Sequence, residues 1–140
     1  MKTKSILFLV LALSIGLFAT SCNSSDENKG DTLAPIVGKW DIVKVGTNVN
    51  GVETLTDPPQ NVPGCNHDFI DLKVNNTLVS GDYDSAISPC MLTTVSGTYS
   101  KGDSKVTLVI NGTSTTYDIV NLTLTELKLK NGNAISVYIR

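Results

Sequence analysis

Three cysteines, one histidine and a few closely spaced carboxylates are the side chains of this 140-residue chain best suited to covalent, metal or acid–base chemistry. His67 stands beside Asp68 and near Asp71, a grouping that invites metal binding or proton transfer. An extended backbone would hold them apart. His67 and Asp71 would share a face about 13 Å from each other at roughly 3.3 Å per residue, and His67 and Asp68 would point to opposite faces. Neither pair chelates one ion unaided. Asp82 and Asp84 offer two alternate carboxylates in a polar stretch, whereas calcium usually takes about six to eight oxygens, so they read better as turn residues. Glu53 and Glu126 lie far apart in the sequence and on expected solvent faces. No Gly-rich phosphate loop and no nucleophile beside a base is evident, so the chain is expected to be no enzyme and to use neither cofactor nor metal.

The cysteines say more. Lys2 and Lys4 precede an apolar run from Ile6 to Phe18, which ends in the small residues Ala19, Thr20 and Ser21 directly before Cys22. Residues 1–21 therefore have the layout of a signal peptide. The run falls short of the roughly 20 residues that a bilayer-spanning helix needs, and Ser14 and Gly16 weaken it further. Its ending resembles the lipobox of bacterial lipoproteins, in which small residues precede a cysteine that receives diacylglycerol; Ala19 stands where leucine is usual. That resemblance implies acylation of Cys22 and membrane attachment through this residue alone, each buried methylene contributing about 0.8 kcal/mol. In an exported protein Cys65 and Cys90 can pair, leaving Cys22 as the odd thiol that lipidation removes. Two separate buried thiols are the alternative.

Asn23 to Ala34 is polar and too poor in aliphatic side chains to bury against a core, so residues 22–34 read as a lipidated, flexible tether. Ser25-Asp26-Glu27 resembles the short signals that carry some lipoproteins to the outer face of the outer membrane, although a simply solvated tether accounts for the same residues. Removing residues 1–21 leaves nine of the eleven basic residues against all thirteen acidic ones, a net charge of −4. The lysines are scattered singly, without the basic face and interleaved aromatics that nucleic acid would require.

These features must be carried by residues 35–140, enough for one domain and not two. Asn50-Gly51, Asn75-Asn76, Lys101-Gly102, Asn111-Gly112 and Asn131-Gly132 separate short runs rich in Val, Ile, Leu, Thr and Tyr, the signature of successive hairpins. Strands are expected at 37–47, 52–56, 68–74, 77–83, 91–99, 104–110, 113–120, 124–130 and 134–139. Val106, Leu108 and Ile110 alternate with Lys105 and Thr107, and Leu127 and Leu129 alternate with Glu126, Lys128 and Lys130, so one face is buried and one is wet. The reading is all-β: a single up-and-down antiparallel barrel of about eight strands, closed so that no edge is left unpaired. A two-sheet sandwich has the same strand count.

Gly38-Lys39-Trp40 at the start of the first strand resembles the Gly-x-Trp signature of lipocalins. The order that follows is similar to that of small bacterial lipocalin-like lipoproteins: Asn50-Gly51, Cys65, the acidic strand 68–74, Cys90 and Gly97-Thr98-Tyr99. Val74, Asn76 and Tyr99 depart from the residues common there. The resemblance implies that Gly38 and Trp40 close the barrel floor and that the interior takes up a small, largely apolar ligand.

An eight-stranded barrel is just wide enough either to fill itself with side chains or to hold one small molecule. Candidate lining residues are Ile42, Leu72, Tyr99, Leu108, Tyr117, Ile119, Leu127 and Val137, with Ile70, Val106, Leu129 and Ile135 also expected inward. The same set would serve as a filled core. A second reading makes the barrel a non-catalytic adaptor or inhibitor that meets a protein partner through its long loops, 56–64 and 82–89.

Overall fold

The computed structural model describes residues 35–140; the signal segment, Cys22 and the tether lie outside the described residues. The described residues form nine strands: β1 (Gly38–Val49), β2 (Val52–Thr56), β3 (Phe69–Leu72), β4 (Thr77–Asp84), β5 (Met91–Lys101), β6 (Lys105–Ile110), β7 (Thr113–Leu122), β8 (Glu126–Asn131) and β9 (Ala134–Ile139). β3 to β9 follow one another as an antiparallel meander, and β9 returns to pair with β1. Eight strands, β1 and β3–β9, thus close a barrel, and the sandwich is set aside. The tight turns follow from local chemistry. Asn50-Gly51 and Asn111-Gly112 take positive φ at both positions, 54° and 82° in the first and 51° and 77° in the second. This is the backbone that two-residue hairpins demand and that Asn-Gly tolerates.

β3 is shorter than the run 68–74 expected for it. Lys73 to Asn76 leave the strand to form a turn in which Asn76 adopts φ 63° and the Asn75 side chain accepts from both the backbone N–H and the hydroxyl of Thr77. The short β3 shapes the wall. It pairs with Gly38–Asp41 of β1, whereas β2 pairs with Val45–Val49 along the same strand. In the gap between them the Ile42 N–H donates to the Asp68 carbonyl at 2.9 Å, and the Ile42 carbonyl accepts from Asn61 Nδ2 at 2.8 Å. Loop 57–68, not a strand, completes the wall there.

Residues directly opposite each other across an antiparallel ladder share a face. Trp40, Ile70, Leu72 and Leu78 are thereby inward, as are Tyr99 with Leu108, Val106 with Tyr117, and Leu122 with Leu127. One barrel end holds the start of β1, the end of β3, the start of β4 and the end of β5. Here Trp40 and Leu72 are 0% exposed and Leu78 and Val106 1%, a dry core that closes this end.

β9 corrects one expectation. Tyr138 pairs with Leu127 and Ser136 with Leu129, so Ser136 and Tyr138 face inward, while Ile135 and Val137 lie on the outer face opposite Lys130 and Lys128. Choosing the more apolar side of this strand as the inner one gives the wrong face, because the outer face is itself covered. β2 curls over it: Glu53 reaches Lys128 of β8 at 3.0 Å, across β9, and Ile135 is left 1% exposed. Gly46, opposite Ile135, permits that curl. A Cβ at Gly46 would collide with the Thr54 carbonyl oxygen, a backbone atom that cannot swing away. Gly46→Ala is therefore expected to destabilise the domain by about 1–3 kcal/mol through overpacking, checked by denaturant unfolding.

Candidate functional site

Trp40 forms the floor. Its indole Nε1 donates to the Ile36 carbonyl at 2.7 Å, and the guanidinium of Arg140 lies 4.3 Å from the ring centroid. Arg140 also donates through Nη1 to the Val37 carbonyl at 2.8 Å and through Nε to the Leu124 carbonyl at 2.6 Å, so the last residue of the chain ties the start of β1 to the turn before β8. Gly38, at φ 135°, runs so close to Arg140 that a side chain there would meet the guanidinium. Gly38 and Trp40 thus stand together at this end of the barrel. Sequence reading missed Arg140, because a terminal arginine carries no pattern that distinguishes it from a solvated one.

Of the other candidates, Leu72, Leu108, Leu127 and Tyr99 belong to the packed core. The Tyr99 hydroxyl is engaged by the backbone, donating to the Lys73 carbonyl at 2.8 Å, and burial pushes its pKa up. Val137 is outside the barrel. Ile42, Tyr117 and Ile119 remain as inward residues that keep part of their surface in solvent. Ile110, Tyr117, Ile119 and Tyr138 rest on the dry core as its upper layer. Above them the inner wall is lined by residues absent from the sequence-based set: Ser80 with Val95 on β4 and β5, Thr115 on β7 and Ser136 on β9. Each is only partly buried although it points inward. Hydrophobic alternation gave no signal for the three hydroxyl residues, because it marks such residues as outward.

The barrel therefore has two halves. The lower is dry and filled; the upper is lined by β-branched and hydroxyl side chains and is reached by solvent. Its rim carries Asp82 and Asp84, inward by their pairing with Thr93 and Met91. Both are strand residues and not the turn residues expected, although the Asp84 carboxylate does accept from the Ala86 N–H at 2.9 Å.

The pairing expected for the remaining cysteines is present: Cys65 and Cys90 form a disulfide with Cα atoms 5.7 Å apart, tying loop 57–68 to the β4–β5 connection. Asp68 fastens the same loop to the wall. One carboxylate oxygen accepts from the Tyr83 N–H at 2.7 Å, the other from Gln60 Nε2 at 2.9 Å. A residue that suggested metal chemistry beside His67 is thus a backbone latch, the role that closes the gap left by the short β3.

Tyr138 supplies a pH signature. Burial, and secondarily the neighbouring Tyr117, push its pKa up to about 12, against a hydrogen bond with Ser136 that acts the other way. The neutral phenol is favoured in the folded state, so the contribution of Tyr138 to stability is level below about pH 10, the ordinary tyrosine pKa, and is lost as pH rises toward 12. Tyr138→Phe is expected to flatten this decline, read from melting temperatures measured across that window.

A closed up-and-down barrel of eight strands is just wide enough either to fill itself with side chains or to hold one small molecule. The family model for a lipocalin-like domain matches residues 36–129, and the chain belongs to that family. A crystal structure of a lipocalin-like protein from Bacteroides uniformis superposes with a TM-score of 0.56 at 15% identity, covering 79% of this chain and 99% of that one. A second, of an uncharacterized protein from Bacteroides eggerthii, gives 0.55 at 11% identity over 74% of this chain and 98% of that one. At these identities the likeness is one of fold. No curated protein sequence matches the chain.

Proposed function

We propose that the protein is a non-catalytic lipoprotein of the cell envelope, held by lipid on Cys22, whose barrel takes one small, largely apolar molecule into its open half. The observation that carries the ligand reading is the contrast between the two halves. Inward apolar side chains of the closed half are 0–6% exposed, whereas Ile42, Val95, Ile110 and Tyr117 point inward and are only partly buried. A site of partly apolar wall with a few fixed hydroxyls is the usual character of a small-molecule pocket. The apolar run before Cys22 and the small residues that end it support the anchoring. The acidic Ser25-Asp26-Glu27 behind Cys22 supports attachment to the outer membrane with the barrel at the cell surface.

Intact-mass measurement of the protein recovered from membranes tests the anchor: acyl chains such as palmitate on a chain beginning at Cys22 are expected, and an unmodified Cys22 would count against it. For the ligand, native mass spectrometry of the same material is expected to show a co-purifying molecule, and the protein should take up one equivalent of an added apolar probe.

One observation favours a second reading, in which the mouth meets a protein partner. Val62, Ile87, Met91 and Leu92, on or beside the disulfide-tied loops, are 37–57% exposed. Crosslinking on intact cells separates the two, since an adaptor gives a discrete partner and a carrier does not.

A further inference from the structure

We propose that the open half selects uncharged molecules bearing a hydroxyl or carbonyl end and rejects carboxylates of the same chain length. This rests on the ligand-holding reading above and concerns which chemistry that site admits.

The argument begins with where the charges stand. Lys39, Lys44, Lys105 and Lys128 each reach a carboxylate, from Asp41, Asp57, Asp118 and Glu53 respectively. Lys105 and Lys128 lie on the outer face, opposite Asp118 and Val137. Lys44 also pairs opposite Val137, and Lys39 opposite Asp71, so both are outward as well. Lys130 shares the outer face with Ile135. Lys73, Lys101 and Arg140 are at the closed end, where Lys101 Nζ donates to the Gly102 carbonyl and Arg140 covers Trp40. Among the described residues, then, no lysine or arginine faces the open half.

The charges that do face it are negative. Asp82 and Asp84 are inward at the rim and exposed. Deeper in, the polar groups are neutral: the hydroxyls of Ser80, Thr115, Tyr117, Ser136 and Tyr138. A carboxylate entering this space would pass two like charges and then give up water with no opposite charge to replace it, a cost that burial without pairing makes large. A hydroxyl or carbonyl finds donors and acceptors at every level and keeps its hydrogen bonds.

Competition against a neutral fluorescent apolar probe, with purified protein at pH 8, tests this using decan-1-ol and decanoate as matched competitors. Decanol is expected to displace the probe at a concentration about ten-fold or more below that of decanoate. Asp82→Lys, at an exposed position, is expected to bring decanoate within a few-fold of decanol in the same variant; Thr93→Lys, from the paired position on β5, should act the same way. Decanoate competing as well as decanol in the native protein overturns the selectivity and leaves ligand binding standing, and so does a gap that neither lysine variant moves. If the probe itself fails to enter, the ligand-holding reading falls together with this one.

Discussion

Replacing Trp40 with alanine is expected to cost about 3–5 kcal/mol, the largest single-residue loss in the domain. Trp40 is 0% exposed, so the whole indole is removed from a site with no solvent to fill it. Three further losses come with it. The Ile36 carbonyl loses its donor, the Arg140 guanidinium loses the ring beneath it, and Leu72 and Leu127, both fully buried in the same cluster, face a void. For a domain of this size each kcal/mol lowers the melting temperature by about 4–8 °C, so a fall of roughly 12 °C or more is expected in a thermal scan. Trp40→Phe keeps an aromatic ring but not the Nε1 donor and should fall between the two. An alanine variant that melts within a few degrees of the native protein would show that this end is not closed by packing around Trp40.

The second large effect is at the other end of the barrel. Cys65 and Cys90 are separated by 25 residues. Opening a loop of that length is expected to cost about 3–4 kcal/mol when both are replaced by serine, on a chain-entropy account. The position of the bridge gives the loss a particular form. Loop 57–68 fills the wall where β3 stops short, and without the disulfide it keeps only a few hydrogen-bond ties such as the Ile42 N–H to Asp68, Asn61 to Ile42 and the Tyr83 N–H to Asp68. Local opening should therefore precede global unfolding. Limited proteolysis is expected to cut the double-serine protein first within 57–68, at protease concentrations that leave the native protein whole. Uniform resistance, with an unchanged melting temperature, would mean that the hydrogen bonds alone hold the loop.

Much of the fold was legible in the sequence because hairpin turns and period-two alternation are local. Asn50-Gly51 and Asn111-Gly112 announce their conformation in two residues, and strand positions from β4 to β8 follow from the alternation between such turns. What failed was information that is not local. The inner face of β9 is set by pairing with β8 and β1 and not by its own polarity, which is why Ser136 and Tyr138 replace Ile135 and Val137 inside. The register shift between Ile42 and Lys44 lets β1 turn from one neighbour to the next, and no residue there signals it. Asp68 looked like chemistry beside His67 and is instead a latch, since its partners Gln60 and Tyr83 meet only in the folded chain. For the candidate site, Ile42, Tyr117 and Ile119 were found by alternation, whereas Ser80, Thr115 and Ser136 were not, because small hydroxyl residues in strands read as solvent-facing.

That mixed lining is what the ligand reading turns on, and the barrel contains its own reporter. The chain has one tryptophan, and it lies at the floor directly below the open half. Excitation of Trp40 in the presence of an apolar probe that absorbs the indole emission should give energy transfer that rises to a plateau at one probe per protein and is reversed by unlabelled decanol. The account predicts that plateau. Transfer that grows without saturating, or none at all while the probe remains soluble, would contradict it.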